Sequence, residues 1–233
     1  VYWKDIWKLI VEAVHMLGDV FSNLGIVFKN KKAENKIPYK RIVRTNYRKF
    51  VLLLIVSTIP TGIMGILGKN LITEASETLL IPGICLLITG VLLLISDRAK
   101  NCRKIPRDIS YKQGLLVGIA QGFATLPGLS RSGTTITACL LCGFDRKFAV
   151  KYSFILSIPA ILGAAVLEIK DVGQEVITGG MVGTYAAGMI AAALVGYICI
   201  KTMLVVVRNK KFKYFAFYCF AIGIISIVGH FVL

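Results

Sequence analysis

Hydrophobic positions in this chain come in long runs, and the polar residues between them are mostly basic. Five runs read as membrane-spanning helices: 50–67, 79–96, 154–169, 181–207 and 214–233. A helix rises about 1.5 Å per residue, so roughly 20 apolar residues cover a hydrocarbon layer about 30 Å thick. The opening 1–28 is amphipathic instead. Tyr2, Trp3 and Trp7 stand there beside Lys4 and Lys8, as aromatic and cationic anchors do where a span meets the headgroups. With the basic loop that follows, 1–49 reads as an interfacial helix and a cytoplasmic loop, 50–113 as two spans and a loop, and 152–233 as three spans. Pro60 lies inside the 50–67 run, and Ser57 and Thr58 stand close by. Their hydroxyls are candidates for the carbonyl that the missing proline N–H frees.

Loop charge orders these runs. Lys and Arg concentrate in 29–49, 97–112 and 208–213, whereas 68–78 sets Lys69 against Glu74 and Glu77, and 170–180 is net acidic. An excess of cations marks cytoplasmic loops. Residue 112 is then inside and residue 171 outside, with the 154–169 span crossing between them. Residues 114–143 are too apolar for water, so they must enter and leave on the same side. The consistent solution is a re-entrant helical hairpin in an all-α, polytopic membrane protein.

The hairpin is interrupted at "ATLPGLSRSGTTITA", Ala124 to Ala138. Pro127 stops the first half-helix, because it has no N–H and restricts Leu126. Gly128 and Gly133 permit unusual backbone angles and close approach. The second half-helix is expected to start near Ser132, Gly133 or Thr134, with hydroxyls as caps. Its free N–H groups and dipole attract anions. Arg131 stands beside that N-terminus. A cation at membrane depth costs at least ~2.5 kcal/mol, and a phosphate or pyrophosphate can offset it, since the guanidinium fork matches phosphate oxygens. Ser130, Ser132, Thr134 and Thr135 add donors. The competing reading pairs Arg131 with a carboxylate in a purely structural hairpin. Gly114, Gly118 and Gly122 recur every four residues and form a small-residue ridge that lets another helix come close. Gln121 on the first half-helix either faces the cavity or makes an interhelical hydrogen bond.

Composition agrees with the pattern. Hydrophobic residues make up 56% of the chain and charged ones only 17%, with a mean hydropathy of +0.73, unlike a soluble domain. The net charge of +16 sits in short loops rather than on one aromatic-studded face, which argues against nucleic acid. Cys139 and Cys142 have no second pair or nearby histidine to complete a metal or redox site and read as packing residues. His15 and His230 read as interfacial or packed, and the acidic residues lie near loops or span ends.

The stretch "GLLVGIAQGFATLPGLSRSGTTITACLLCGFDRKFAVKYSFILSIPAILGA" closely resembles the second conserved region of undecaprenyl-diphosphatases, also called bacitracin-resistance proteins. The pattern P-G-x-S-R-S-G-x-T falls on Pro127, Gly128, Ser130, Arg131, Ser132, Gly133 and Thr135, and the order of spans resembles the family throughout. The resemblance implies an inverted-repeat helical fold in the bacterial cell membrane, with a site open to the extracytoplasmic side. It implies hydrolysis of undecaprenyl pyrophosphate to the monophosphate, which recycles the lipid carrier of cell-wall synthesis and confers bacitracin resistance. Arg131 would bind the pyrophosphate, with Ser130, Ser132 and Thr135 assisting catalysis and Gly128, Gly133, Thr134 and Gln121 binding substrate. Mg2+ or Ca2+ is the implied cofactor. The family's first motif, a pair of glutamates one helical turn apart followed by a serine-rich turn, has no counterpart here. The metal ligands are therefore expected upstream of Val1, the first repeat is expected to be truncated, and the chain alone is expected to be inactive. The expected partners are the polyprenyl pyrophosphate and the bilayer; assembly as a homodimer stays open. The rival function is a transporter or flippase for a phosphorylated lipid or anion, which also uses broken helices as binding sites.

Overall fold

The computed structural model describes residues 1–31, 37–99, 103–172 and 179–232, with the side chains of 167–172, 179–182 and 208 outside that description. Cys102 and the acidic stretch 173–178 thus lie outside the described residues. The chain forms α1 (Trp3–Asn30), α2 (Asn46–Leu67), α3 (Lys69–Ser76), α4 (Leu80–Arg98), α5 (Tyr111–Phe123), α6 (Arg131–Leu141), α7 (Arg146–Val172), α8 (Gly179–Arg208) and α9 (Phe212–Val232), with a 3-10 turn at Pro106–Asp108. No strand occurs among the described residues.

Six of these helices, α1, α2, α4, α7, α8 and α9, are long and apolar enough to cross a membrane. The sequence pattern picked out five of them and read α1 as interfacial. The residues 69–76, read as loop, form the short helix α3. α5 and α6 have 13 and 11 residues, about 20 and 16 Å of helix, too little for a layer of about 30 Å.

The hairpin closes on itself. Gln113 Nε2, in the first turn of α5, donates to Cys142 O at the end of α6 at 2.8 Å. Lys104 Nζ reaches the same carbonyl at 3.1 Å. Residues 112 and 143 therefore lie at one end of the bundle, as the count of crossings requires. Other contacts gather the same end. Arg146 at the start of α7 donates to Ser96 O and Ala99 O at the end of α4. Lys213 N at the start of α9 donates to Asp97 Oδ2 at 2.9 Å. At the far end, Ser226 Oγ donates to Leu79 O at 2.8 Å, so α4 and α9 run antiparallel. A Cβ added at Gly223 would lie 2.9 Å from Gly83 O, which shows how closely those two helices touch.

α5 packs along α2, and the glycine ridge is the reason. A Cβ at Gly118 would come within 2.2 Å of Ser57 O, and one at Gly122 within 2.4 Å of Met64 Sδ. At that separation Ser57 Oγ donates to Gly114 O at 2.6 Å, and Thr61 Oγ1 donates to Gly118 O at 2.9 Å. The matched steps mean that α2 and α5 run parallel. This corrects one expectation. Ser57 turns to α5, and Thr58 Oγ1 bonds Leu54 O; neither takes the carbonyl freed by Pro60, because the close helix approach gives Ser57 a better acceptor.

The core at the basic end is aromatic. Phe50, Phe144, Phe148 and Tyr152 pack with ring centroids 5.1–5.9 Å apart. Cys139 lies buried among them, and it and Cys142 are free thiols.

Candidate functional site

The break between α5 and α6 is a designed loop, not a frayed helix. α5 ends at Phe123, four residues before Pro127. Leu126-Pro127-Gly128-Leu129 then form a turn: Leu129 N donates to Leu126 O at 3.2 Å, and Gly128 has φ +84. Proline at the second position and glycine at positive φ in the third fit a type II turn. So Pro127 shapes the turn after the helix has already ended. Gly128 is also irreplaceable for space, since a Cβ there would lie 2.3 Å from Pro82 O.

Thr89 of α4 holds this turn in place. Its Oγ1 donates to Gly128 O at 3.2 Å and accepts from Ser130 N at 3.0 Å. One hydroxyl thereby satisfies two backbone groups that the broken helix exposes, as irregular backbone at membrane depth requires. Nothing in the sequence motif pointed to Thr89. The available signal was a threonine-glycine pair in the otherwise apolar "LLITGVLLL", which shows a polar requirement without naming its partner.

α6 begins one to three residues earlier than the sequence reading placed it. Ser130 is the N-cap, with its Oγ accepting from Gly133 N at 3.2 Å. Arg131 is consequently the first helical residue. Its N–H and that of Ser132 are left without an intrahelical partner, as first-turn amides are. The Arg131 side chain is partly buried and makes no hydrogen bond or ion pair among the described residues. The carboxylate partner of the structural reading is therefore absent among those residues. Ser132 is partly buried beside it.

Two further polar atoms stay unmatched close by in sequence. Thr134 is 7% exposed and its Oγ1 has no partner. Gln121 is 1% exposed; its Nε2 donates to Thr61 Oγ1 at 3.3 Å while Oε1 has no partner. Gln121 thus makes the interhelical bond and still keeps a free acceptor. A buried polar atom left unsatisfied costs roughly 1–3 kcal/mol, so two on the arms of one hairpin are informative.

Thr135 is placed differently from its neighbours. It is fully buried, donates to Arg131 O at 2.8 Å and bonds Ser153 on α7. Its hydroxyl belongs to the α6–α7 contact, held between the Arg131 carbonyl one turn back and Ser153, a local back-bond that Thr side chains commonly make in helices. Gly133 is closely packed, with Ser130 Oγ 3.0 Å and Leu93 Cδ2 3.2 Å from an added Cβ, so a methyl group there would need those side chains to give.

The implied divalent cation does not fit the residues present. Among the described residues no group of three or more His, Cys, Asp or Glu could hold a metal. The carboxylates Asp5, Glu12 and Asp19 are engaged at the basic end with Lys151 and Arg48.

A helical bundle with a broken hairpin, and at its gap an arginine without a counter-charge among the described residues, defines a polytopic membrane protein. The sequence matches the bacitracin resistance protein BacA family over residues 1–225, and the chain belongs to that family. It is similar to the undecaprenyl-diphosphatase of Methanosphaera stadtmanae, 39% identical over 97% of this chain and 77% of the relative. That of Alkaliphilus metalliredigens is 37% identical over 98% and 78%. That of Halothermothrix orenii is 43% identical over 78% and 70%.

Proposed function

We propose that this protein hydrolyses undecaprenyl pyrophosphate to undecaprenyl phosphate and inorganic phosphate, recycling the lipid carrier for cell-wall synthesis. The observation that carries this reading is Arg131: a guanidinium without a counter-charge among the described residues, at the N-terminus of α6, in a chain whose relatives bear the name of that hydrolase. Water attacks the terminal phosphorus, the bridging P–O bond breaks, and the bridging oxygen leaves on the lipid monophosphate. Arg131 and the N–H groups of Arg131 and Ser132 stabilise the charge that spreads over the phosphoryl oxygens. The hydroxyls of Ser132 and Thr134 and the free Oε1 of Gln121 orient substrate and water. Ser130 and Thr135 act through the fold, the first by capping α6 and the second by fixing it on α7. Gly128 and Gly133 let the backbone approach. A Mg2+ or Ca2+ ion expected from the resemblance has no ligand set among the described residues, and no step here runs through it.

The basic end of the bundle is cytoplasmic by the positive-inside bias, so the turn at Pro127 points toward the extracytoplasmic side of the plasma membrane. α1 stays interfacial in this reading, because Asp5, Glu12 and Asp19 along one of its faces would be costly in hydrocarbon. The test is phosphate release from undecaprenyl pyrophosphate by the intact gene product in detergent, with Arg131→Lys as comparison. Release by the native protein and its loss in the variant support the reading. Transport of a phosphorylated lipid across vesicles with no phosphate released would replace it with the transporter.

A further inference from the structure

A second anion-friendly feature lies at the other end of α6 from Arg131. A cavity of about 730 Å³ opens between the residues entering α1, the start of α7 and the end of α8. Among the described residues Arg103, Arg146, Lys147, Lys151 and Lys210 line it, against the one carboxylate of Asp145. That carboxylate is engaged as a helix cap, its Oδ1 accepting from Phe148 N at 3.1 Å. Lys151 is held by Asp5 at 2.9 Å, and Arg146 is fixed by the carbonyls of Ser96 and Ala99. Arg103, Lys147 and Lys210 are exposed. Burial and the nearby Asp5 charge push the Tyr2 phenol up to about 12, so it remains a neutral donor on the same wall.

Lys210 is an independent sign that the charge is wanted there. It has φ +51 and is the only non-glycine residue with positive φ among those described. Lys210 N donates to Val207 O and Lys211 N to Val206 O, which is the Schellman ending of α8, and glycine is the usual residue at that position. A lysine there costs stability that glycine would not. The remaining wall is apolar, formed by Val150, Leu204, Val205 and Val207. From it an exposed stripe of α8, Val205, Ile198 and Leu194, runs away from the basic end, with the Lys201 ammonium on the same face folded over the Tyr197 ring. Cations at one end and an open apolar track at the other match an amphiphile with a negative head.

We propose that this cavity binds the phosphate headgroup of an anionic phospholipid, whose acyl chains lie along Val205, Ile198 and Leu194 of α8. Basic pockets between membrane helices on the cytoplasmic side suit such headgroups. The site is separate from the hydrolytic one and does not depend on that reading.

The experiment uses the intact gene product and native mass spectrometry after reconstitution into phosphatidylglycerol or phosphatidylcholine vesicles. Phosphatidylglycerol is retained and phosphatidylcholine is not. The combined variant Arg103→Gln, Lys147→Gln and Lys210→Gly is expected to lower phosphatidylglycerol affinity about tenfold or more. A control that neutralises Lys29, Lys40 and Arg41, exposed cations elsewhere, is expected to keep it. Lys210→Gly alone should melt higher than the native protein in phosphatidylcholine while retaining less phosphatidylglycerol, a split of signs that a purely structural lysine would not give. Unchanged retention in the combined variant overturns the proposal, as does equal loss in the control. Displacement of the lipid by inorganic phosphate at the same concentration assigns the cavity to the free anion and overturns the lipid.

Discussion

Arg48 and Arg131 are both partly or wholly withdrawn from solvent, and only one has found its counter-charges. Arg48, at the start of α2, is 8% exposed. Its Nε meets Glu12 Oε2 at 2.8 Å, and its Nη1 meets Asp19 Oδ2 at 2.6 Å and Ile42 O at 2.8 Å. α1 supplies those carboxylates at heptad spacing, with Leu9 buried before Glu12 and Met16 buried between Glu12 and Asp19. Arg131 stands at the start of α6 beside hydroxyls and free amides, with no carboxylate partner among the described residues. The same side chain therefore does two jobs. Where the fold brings acids to it, it ties helices together. Where the fold brings only donors to it, no counter-charge stands among the described residues, and the proposed anionic substrate would supply one.

The widest gap between the two arginines should appear in paired lysine variants. Arg131→Lys is expected to lower phosphate release by about a hundredfold or more, as loss of a pre-aimed donor does, with the melting temperature little changed. Arg48→Lys should do the reverse, lowering the melting temperature and leaving turnover per folded molecule within about twofold. Equal losses of activity in both would break the contrast.

Gly128→Ala tests whether the gap depends on its backbone. Positive φ and the Pro82 carbonyl both oppose a methyl group, so a destabilisation of about 2–3 kcal/mol is expected in detergent unfolding, with activity falling alongside. A variant as stable as the native protein would mean that the turn can be built another way.

Thr89→Val sharpens the comparison from the supporting side. It leaves Gly128 O and Ser130 N without their shared hydroxyl, which should cost about 1–2 kcal/mol and lower activity through the backbone that hydroxyl holds. Repair by Thr89→Ser, measured as recovered turnover and melting temperature, would trace the effect to that hydroxyl.

Thr134→Val has the smallest expected effect and the clearest sign. Removing a buried hydroxyl that has no partner should be neutral or slightly stabilising, while phosphate release drops by about three- to tenfold. A stability loss like that of Thr89→Val would show that Thr134 has a structural partner and no ligand role.

Much of this contrast was legible along the chain. Run lengths and loop charges required a hairpin over 114–143, and Gln113 and Cys142 meet as that requires. The four-residue glycine spacing announced a close helix, which is α2. Other features were not legible, for a common physical reason. Ser130, Ser132 and Thr134 are chemically equivalent as caps, and the backbone path fixed by Thr89 and Pro82 selects Ser130. Thr135 lies in the same motif as Ser132, yet helix rotation turns it onto Ser153. The acids of α1 read from the sequence only as charges near loops or span ends, and α2 brings Arg48 between Glu12 and Asp19.

Composition, run length, loop charge and the order of Pro127, Gly128 and Arg131 by themselves determine a membrane bundle, a helix that must break, and a cation at the break. Those properties are local or additive: each follows from counting residues and from the dihedral limits of single ones. Which hydroxyl caps, which amides stay free, and which arginine finds acids depend on a few ångströms between segments distant in the chain. Hydrogen bonds and ion pairs are decided at that range, so only the packing of α2, α4 and α7 around the hairpin could settle them.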